Sequence, residues 1–411
     1  MESFLINAKA ASPQAATLNA KQKNSVLLAM AQNLKTKTED IIAANSKDIE
    51  FAKANGLSDA MIDRLFLDEA RVASMADGVA QIAALPDPIG RVLDGWIAPS
   101  GIKINKVSIP IGVVACIYES RPNVTADVGA LCFKSGNVAV LKGGKEAAHS
   151  NAAIARILQE TLEEFGLSPY IIALLPDSSR EAVLKLAKMS AFVDVIIPRG
   201  GEALIKAVCE AATVPVIKHD KGVCHLYIDK DADEIRAISI AINAKVQRPS
   251  ACNAIETLLI DESVAANLLP RLKEAFDEKS TEIVGCEKTC QIIDCAGASL
   301  SDWDMEYLAN KLSIKVVNGV EEAVLHIRKY SSGHSDAIIT QNYDTAEYFL
   351  NQVDSACVYL NASTRFTDGG EFGFGAEVGV STNKLHSRGP MGINDLTTYK
   401  YKIYGEGHIR S

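Results

Sequence analysis

No apolar run in this 411-residue sequence reaches the ~20 positions that a membrane-spanning helix requires. The longest, residues 109–118 and 191–198, fall well short of that length. The N-terminal Met-Glu-Ser-Phe-Leu-Ile-Asn has neither the basic flank nor the apolar stretch of a secretory signal. Blocks of like charge are missing too: 42 Lys and Arg stand against 51 Asp and Glu, a net charge of −9. Without a basic footprint to neutralise phosphates, nucleic-acid binding is not expected. No Cys-x-x-Cys pair occurs, and the nine cysteines are odd in number and mostly set in apolar runs such as Val113-Val114-Ala115-Cys116-Ile117. That pattern argues for buried, reduced thiols rather than a disulfide framework. Cys286, Cys290 and Cys295 are close in sequence, but no neighbouring His completes a tetrahedral zinc set, so no metal is expected. A cytoplasmic protein with no membrane partner is expected. Internal repeats and low-complexity segments are absent.

What is there is an ordinary globular composition, 48% hydrophobic and 23% charged. At ~150 residues per domain the length fits two to three domains, with cores large enough to need no covalent staples. As far as Asp87-Pro88-Ile89-Gly90 the pattern is helical. Leu27, Met30, Ala31 and Leu34 fall at i, i+3, i+4 and i+7 and make one apolar face. Thr38, ahead of Glu39 and Asp40, is the expected N-cap of the next helix.

From residue 112 short apolar runs alternate with helical stretches. Strands are expected at 112–118, 137–141, 170–175, 192–197 and 214–217. A second set is expected at 224–228, 257–260, 314–317, 336–340 and 357–361. Helices are expected at 145–165 and 231–246. This alternation argues for an α/β protein with two doubly wound parallel sheets. Residues 102–109 and 399–404 stand apart: each alternates with period two, and together they can form a small sheet whose edges need cover.

Five segments can carry chemistry. In Gln247-Arg248-Pro249-Ser250-Ala251-Cys252-Asn253, Pro249 stops a helix and leaves Cys252 in a loop beside a strand. Arg248 and nearby backbone N–H groups can lower the thiol pKa, although the segment alone favours one more buried cysteine. Glu119-Ser120-Arg121-Pro122-Asn123-Val124-Thr125 follows a strand end, where polar groups face a ligand crevice and an Asn amide can donate to an oxyanion. A plain strand-to-helix turn explains it equally. Leu141-Lys142-Gly143-Gly144-Lys145 and Pro198-Arg199-Gly200-Gly201 both join a strand to a helix with glycines, a design that suits anions at a helix N-terminus. Neither is a Walker loop nor a Gly-x-Gly-x-x-Gly, and each alone reads as a Gly-rich turn. The fifth, residues 368–392, holds too many glycines for regular structure. Its interleaved Phe, Val and Leu mark a ligand-facing loop rather than a linker.

In order along essentially the whole chain, these segments resemble the aldehyde dehydrogenase superfamily and, within it, the γ-glutamyl phosphate reductase (glutamate-5-semialdehyde dehydrogenase) family. The matching stretches are Ser120-Arg121-Pro122-Asn123-Val124-Thr125, Ile197-Pro198-Arg199-Gly200-Gly201, the Cys252 segment, and Ala362-Ser363-Thr364-Arg365-Phe366-Thr367-Asp368-Gly369-Gly370 running on to Gly389-Pro390-Met391-Gly392. The resemblance implies an aldehyde-dehydrogenase-like fold. Residues 1–99 and 112–222 would form a cofactor-binding domain and 223–392 a catalytic domain. Residues 100–111 and 393–411 would form an oligomerisation flap, and hence at least a homodimer.

It further implies NADPH-dependent reduction of L-γ-glutamyl 5-phosphate to L-glutamate 5-semialdehyde and phosphate, on the route to proline. Cys252 would form the thioester, with Asn123 and the Cys252 N–H as oxyanion donors, each such donor worth ~3 kcal/mol. Lys142, Gly144, Lys145, Gly200, Gly201 and Glu306 would hold the cofactor, with Lys145 reading a 2′-phosphate where NAD-preferring relatives often carry Glu. Arg121, Arg248, Ser381 and Thr382 would bind substrate. A glutamate 5-kinase would supply the labile acyl phosphate. Where aldehyde-oxidising members carry a Glu-Leu-Gly-Gly-Lys base, this chain reads Lys218-His219-Asp220-Lys221-Gly222. Losing that base suits a reductase that must not hydrolyse its thioester; Asp220 can be argued as a substitute, and a catalytic role for it or for His219 stays open. A coenzyme-A-acylating aldehyde dehydrogenase would also lack the base, and a non-catalytic nucleotide-binding relative is the third reading.

Overall fold

The computed structural model describes residues 1–218 and 221–410; His219 and Asp220, whose catalytic role the sequence leaves open, lie outside the described residues. The chain is α/β and forms two compact units, Met1–Lys218 with Gly373–Gly379 and Met391–Ser411, and His219–Phe372 with Val380–Pro390. Among the described residues no helix is long and apolar enough to cross a membrane.

In the first unit, five helices from Glu2 to Ala84 precede a four-stranded parallel sheet. Its order is Ile172–Leu174, Val138–Lys142, Val113–Tyr118, Val195–Arg199. The central strand Val113-Val114-Ala115-Cys116-Ile117-Tyr118 is buried throughout, as a strand covered by helices on both faces must be. Helix Ala20–Thr36 turns Leu27, Met30, Ala31 and Leu34 into the core, as their spacing predicts.

Three local expectations need correction. Thr38 is the first residue of helix Thr38–Ala54 rather than its cap, and its hydroxyl donates back to the Lys35 carbonyl at 2.8 Å. The strand expected at 214–217 is reduced to a single bridge between Ile196 and Val216, because Pro215 has no N–H to give a ladder. The helix expected from Lys145 starts with a 3₁₀ turn, Lys145–Ala147, and becomes α-helical at Ala148–Glu164.

The same unit carries a three-stranded antiparallel sheet in the order Val92–Ile97, Lys103–Pro110, Thr397–Tyr404. The first strand escapes the period-two search because Asp94-Gly95 interrupts it. Both outer strands are largely exposed, and Trp96 meets Tyr401 edge to face at 6.1 Å.

The second unit is built on a seven-stranded parallel sheet. Its order is Ala296–Gly297, Glu282–Gly285, Lys311–Val317, Ile255–Asp261, Cys224–Ile228, Ser335–Ile339, Cys357–Leu360. The two strands at its centre, Ile255–Asp261 and Cys224–Ile228, are fully buried. Glu282–Gly285 and Ala296–Gly297 are too short and too polar to stand out in the sequence.

Candidate functional site

In the first unit, strand Val113–Tyr118 runs into the turn Glu119-Ser120-Arg121-Pro122, and helix Asn123–Lys134 follows. Asn123 therefore sits in the first helical turn with its side chain exposed, and its Nδ2 donates to Asp127 Oδ2 at 2.8 Å, one turn on. Burial raises the Asp127 carboxyl to about 6, against the opposing pull of the Asn123 bond and the Arg199 charge. Arg121 is exposed in the same turn.

Lys142 closes its strand. It is buried, its Nζ donates to the Ser178 carbonyl at 2.9 Å, and desolvation holds its pKa below the usual lysine range. At Gly143 and Gly144 an added Cβ would displace a side-chain end: it would lie 2.0 Å from Asn151 Nδ2 at the first and 2.1 Å from Glu146 Oε1 at the second. Glu146 in turn accepts from the Ser120 N–H at 2.7 Å and from its hydroxyl at 3.0 Å, tying the glycine turn to the Asn123 turn. Lys145 is exposed and forms no salt bridge among the described residues.

Both helix N-termini that sequence reasoning offered to an anion hold the protein's own carboxylates. The first amides of Ala148–Glu164 are taken by buried Asp48, which accepts from His149 N at 3.1 Å and Ser150 N at 2.7 Å. At helix Glu202–Ala211, Glu119 Oε2 accepts from Gly201 N at 3.0 Å, and a Cβ at Gly200 would lie 2.4 Å from the same oxygen. Nothing in the local pattern reveals Asp48, which lies about a hundred positions from the amides it caps.

In the second unit, helix Glu234–Val246 ends three residues ahead of Pro249, and a tight loop carries Cys252 to strand Ile255–Asp261. The loop turns through Ala251 N to Arg248 O at 3.1 Å and Ala254 N to Ala251 O at 3.0 Å. Cys252 is half-buried, unlike Cys116, Cys132, Cys224 and Cys357, which are buried. Three neighbours fix its backbone. Gly222 packs so closely that a Cβ would lie 2.0 Å from the Cys252 carbonyl oxygen. The Cys224 thiol, held protonated by burial, donates to that oxygen at 3.3 Å. Asn253 Nδ2 donates to the Thr367 carbonyl at 2.9 Å, and the Thr364 hydroxyl donates to the Asn253 carbonyl at 2.6 Å.

Glu306 joins the same cluster, its Oε1 accepting from Gly222 N at 2.9 Å. The residues after it are pinned. Tyr307 OH donates to Asp302 Oδ1 at 2.7 Å, and Leu308, at φ 52°, offers its N–H to Glu256 Oε1. Glu256 and Lys245 form a wholly buried pair at 2.6 Å. Arg248 is exposed beside Cys252. Ser381 is buried in a two-residue ladder with Gly389, its hydroxyl accepting from Asn383 N at 3.2 Å, and Thr382 follows half-exposed. Among the described residues no group of three or more His, Cys, Asp or Glu can hold a metal.

The expected residues thus divide between the units. Asn123, Arg121, Lys142, Gly144, Lys145, Gly200 and Gly201 lie in the first; Cys252, Arg248, Glu306, Ser381 and Thr382 lie in the second. The structure brings Cys252 and Glu306 together around Gly222, a residue the sequence offered only as part of a motif that had lost its base.

The chain is similar to known proteins along its whole length. A family model described as "Aldehyde dehydrogenase family" matches residues 1–285. A gamma-glutamyl phosphate reductase from a Nitratiruptor species is 62% identical over 411 residues, covering 100% of both chains. One from a Sulfurovum species is 61% identical over 410 residues, again with 100% of both covered. The crystal structure of gamma-glutamyl phosphate reductase from Thermotoga maritima superposes with a TM-score of 0.98 at 41% identity, covering 100% of this chain and 99% of that one.

Proposed function

The chain belongs to the aldehyde dehydrogenase family and, within it, to the γ-glutamyl phosphate reductases, and from that membership we propose how its residues carry the reaction. The reaction is the reduction of L-γ-glutamyl 5-phosphate to L-glutamate 5-semialdehyde and phosphate in proline biosynthesis. Cys252 thiolate attacks the acyl carbon, the S–C bond forms, and the C–O bond to phosphate breaks with both electrons leaving on the phosphate. The resulting thioester keeps the acyl group activated. NADPH, when bound, supplies the hydride for the acyl carbon. Collapse of the hemithioacetal releases the aldehyde and returns the Cys252 thiolate.

Asn123 and the Cys252 N–H are the oxyanion donors in this scheme, with Asp127 orienting the Asn123 amide. Preorganisation supports the assignment: donors and nucleophile need fixed backbones, and the Cys252 backbone is fixed from three sides. Arg121, Arg248, Ser381 and Thr382 are assigned to the substrate.

The residues present fit a phosphorylated dinucleotide. Lys145 is an exposed cation without a carboxylate partner among the described residues, beside a glycine turn closely flanked by the Asn151 and Glu146 side chains. Lys145 would take the 2′-phosphate, Lys142 the neighbouring ribose and Glu306 the nicotinamide ribose. The Gly144, Gly200 and Gly201 main chain would line the pyrophosphate, with Glu119 turning away from Gly201 N. A cytoplasmic enzyme fed by a glutamate 5-kinase, and paired with a second copy through the three-stranded sheet, completes the reading.

The observation that carries the chemistry is the half-buried Cys252 on a backbone that Gly222, Cys224 and Asn253 lock in place. Absorbance at 340 nm with NADP, glutamate semialdehyde and phosphate tests it. Turnover should require phosphate, and coenzyme A in its place should give none.

A further inference from the structure

Arg365 is bonded to both ends of the loop that carries Cys252. It lies in a single 3₁₀ turn, Thr364–Phe366, whose start is capped by Ser363 Oγ accepting from Arg365 N at 3.3 Å. Its Nε donates to Gln247 Oε1 at 2.8 Å, where the loop begins, and its carbonyl accepts from Asn253 Nδ2 at 3.4 Å, where the loop ends. Arg365 is half-buried, and among the described residues its one side-chain bond goes to a neutral amide. That leaves the two terminal nitrogens, a planar fork of donors, without a carboxylate among the described residues, and the same holds for Arg248.

The charges around the loop point the same way. Desolvation and the Arg248 charge both lower the Arg365 pKa, while the negative charges of Cys252, Asp368 and Cys224 raise it. Arg365, Arg248 and Cys252 thus lie within electrostatic reach of one another, with the Asp368 carboxylate near enough to act on Arg365 but not bonded to it among the described residues. Two guanidinium groups brought together, Arg365 half-buried and Arg248 exposed, favour an anion between them. The Cys252 thiolate is a single charge. A dianionic phosphate matches two forks, and the guanidinium geometry fits phosphate oxygens bidentately.

We propose that Arg365, with Arg248, forms the site that holds the phosphoryl group of the substrate and the phosphate that departs from it, Arg365 being the member fixed by the loop. The inference rests on the acyl-phosphate reading above and deepens it. As the C–O bond breaks, the negative charge gathering on the leaving phosphate oxygen meets guanidinium donors already in place. In the opposite direction, a phosphate oxygen held there attacks the thioester carbon, forming the C–O bond and expelling the Cys252 thiolate.

The test uses the full chain in the oxidative direction. Semialdehyde and NADP without phosphate should give a burst of about one NADPH per active site, because the thioester forms and waits; phosphate then permits turnover. Arg365→Ala should keep the burst and the KM for semialdehyde, while the KM for phosphate rises at least tenfold, roughly what one lost charge-assisted fork costs. Gln247→Ala, which frees Nε but keeps the charge, should move the phosphate KM by less. An unchanged phosphate KM in Arg365→Ala, or a semialdehyde KM raised by the same factor, overturns the proposal. Absence of the burst in the wild-type chain would instead count against the thioester reading. If Arg365→Ala does not fold, Arg365→Lys is compared with the wild type for phosphate protection of Cys252 against iodoacetamide. Half-protection at a higher phosphate concentration in the variant supports the site, and the same concentration in both overturns it.

Discussion

Gly222 and Cys252 touch backbone to backbone: a Cβ built on Gly222 would lie 2.0 Å from the Cys252 carbonyl oxygen and 2.7 Å from its Cα. Neither atom belongs to a flexible side chain, so a residue larger than glycine must move the loop that holds the nucleophile. The same glycine gives its N–H to Glu306, so any shift is passed to the residue assigned to the nicotinamide ribose.

Gly222→Ala should therefore lower kcat by about a hundredfold, the effect of misplacing a reacting group by ~1 Å. The fold should survive, because one loop carries the shift. Steady-state rates alongside circular dichroism check it; full activity in the variant would mean the loop relaxes freely.

The cofactor assignment turns on Lys145. Lys145→Glu should raise the KM for NADPH by one to two decades relative to NADH, the equivalent of ~1.5–3 kcal/mol for a charge-assisted phosphate contact. Paired NADPH and NADH titrations give the ratio, and an unchanged ratio would make Lys145 a solvated surface lysine.

Beneath Glu306, the Lys245–Glu256 pair is buried on both sides. Lys245→Met should cost about 3–5 kcal/mol in urea unfolding, since it strands a buried carboxylate, and adding Glu256→Leu should recover most of that loss. Burial raises Glu256 to about 7 against a usual value of 4.5. Between those values the folded chain keeps a proton that the unfolded chain releases, so this group's contribution to stability declines as pH rises from about 4.5 to 7. Glu256→Gln should flatten that part of the stability-pH curve.

How far these sites could be read in the sequence depended on the range of the interaction. The parallel strands were legible because burial on both faces makes continuous apolar runs such as Val113–Tyr118, and the Cys252 loop because Pro249 punctuates it. Partners distant in sequence were not legible. Asp48 fills a helix N-terminus about a hundred positions away, Glu119 fills another at Gly201, and both sites had looked open to an anion. Arg365 lies within a segment that resembles the family, yet nothing local shows that it clasps Gln247 and Asn253. Strand Val92–Ile97 has no period-two signature because Asp94-Gly95 breaks its pattern, and only pairing with Lys103–Pro110 reveals it.

That three-stranded sheet leaves Trp96, Ile97, Tyr401 and Ile403 exposed, along with two unpaired strand edges. Chain truncated after Asp395 loses the strand Thr397–Tyr404 and should sediment as monomer or aggregate, while the full chain should sediment as at least a dimer. A full-length monomer at micromolar concentration would contradict the assigned role of the sheet.

The central claim is that Cys252 carries the acyl group. Mixing the full chain with glutamate semialdehyde and NADP, without phosphate, and mapping the quenched protein by peptide mass spectrometry tests it directly. A glutamyl adduct should appear on the Cys252 peptide, vanish when phosphate is added, and be absent in Cys252→Ala, which should be folded and inactive. An adduct on another cysteine, or turnover by Cys252→Ala, would contradict the account.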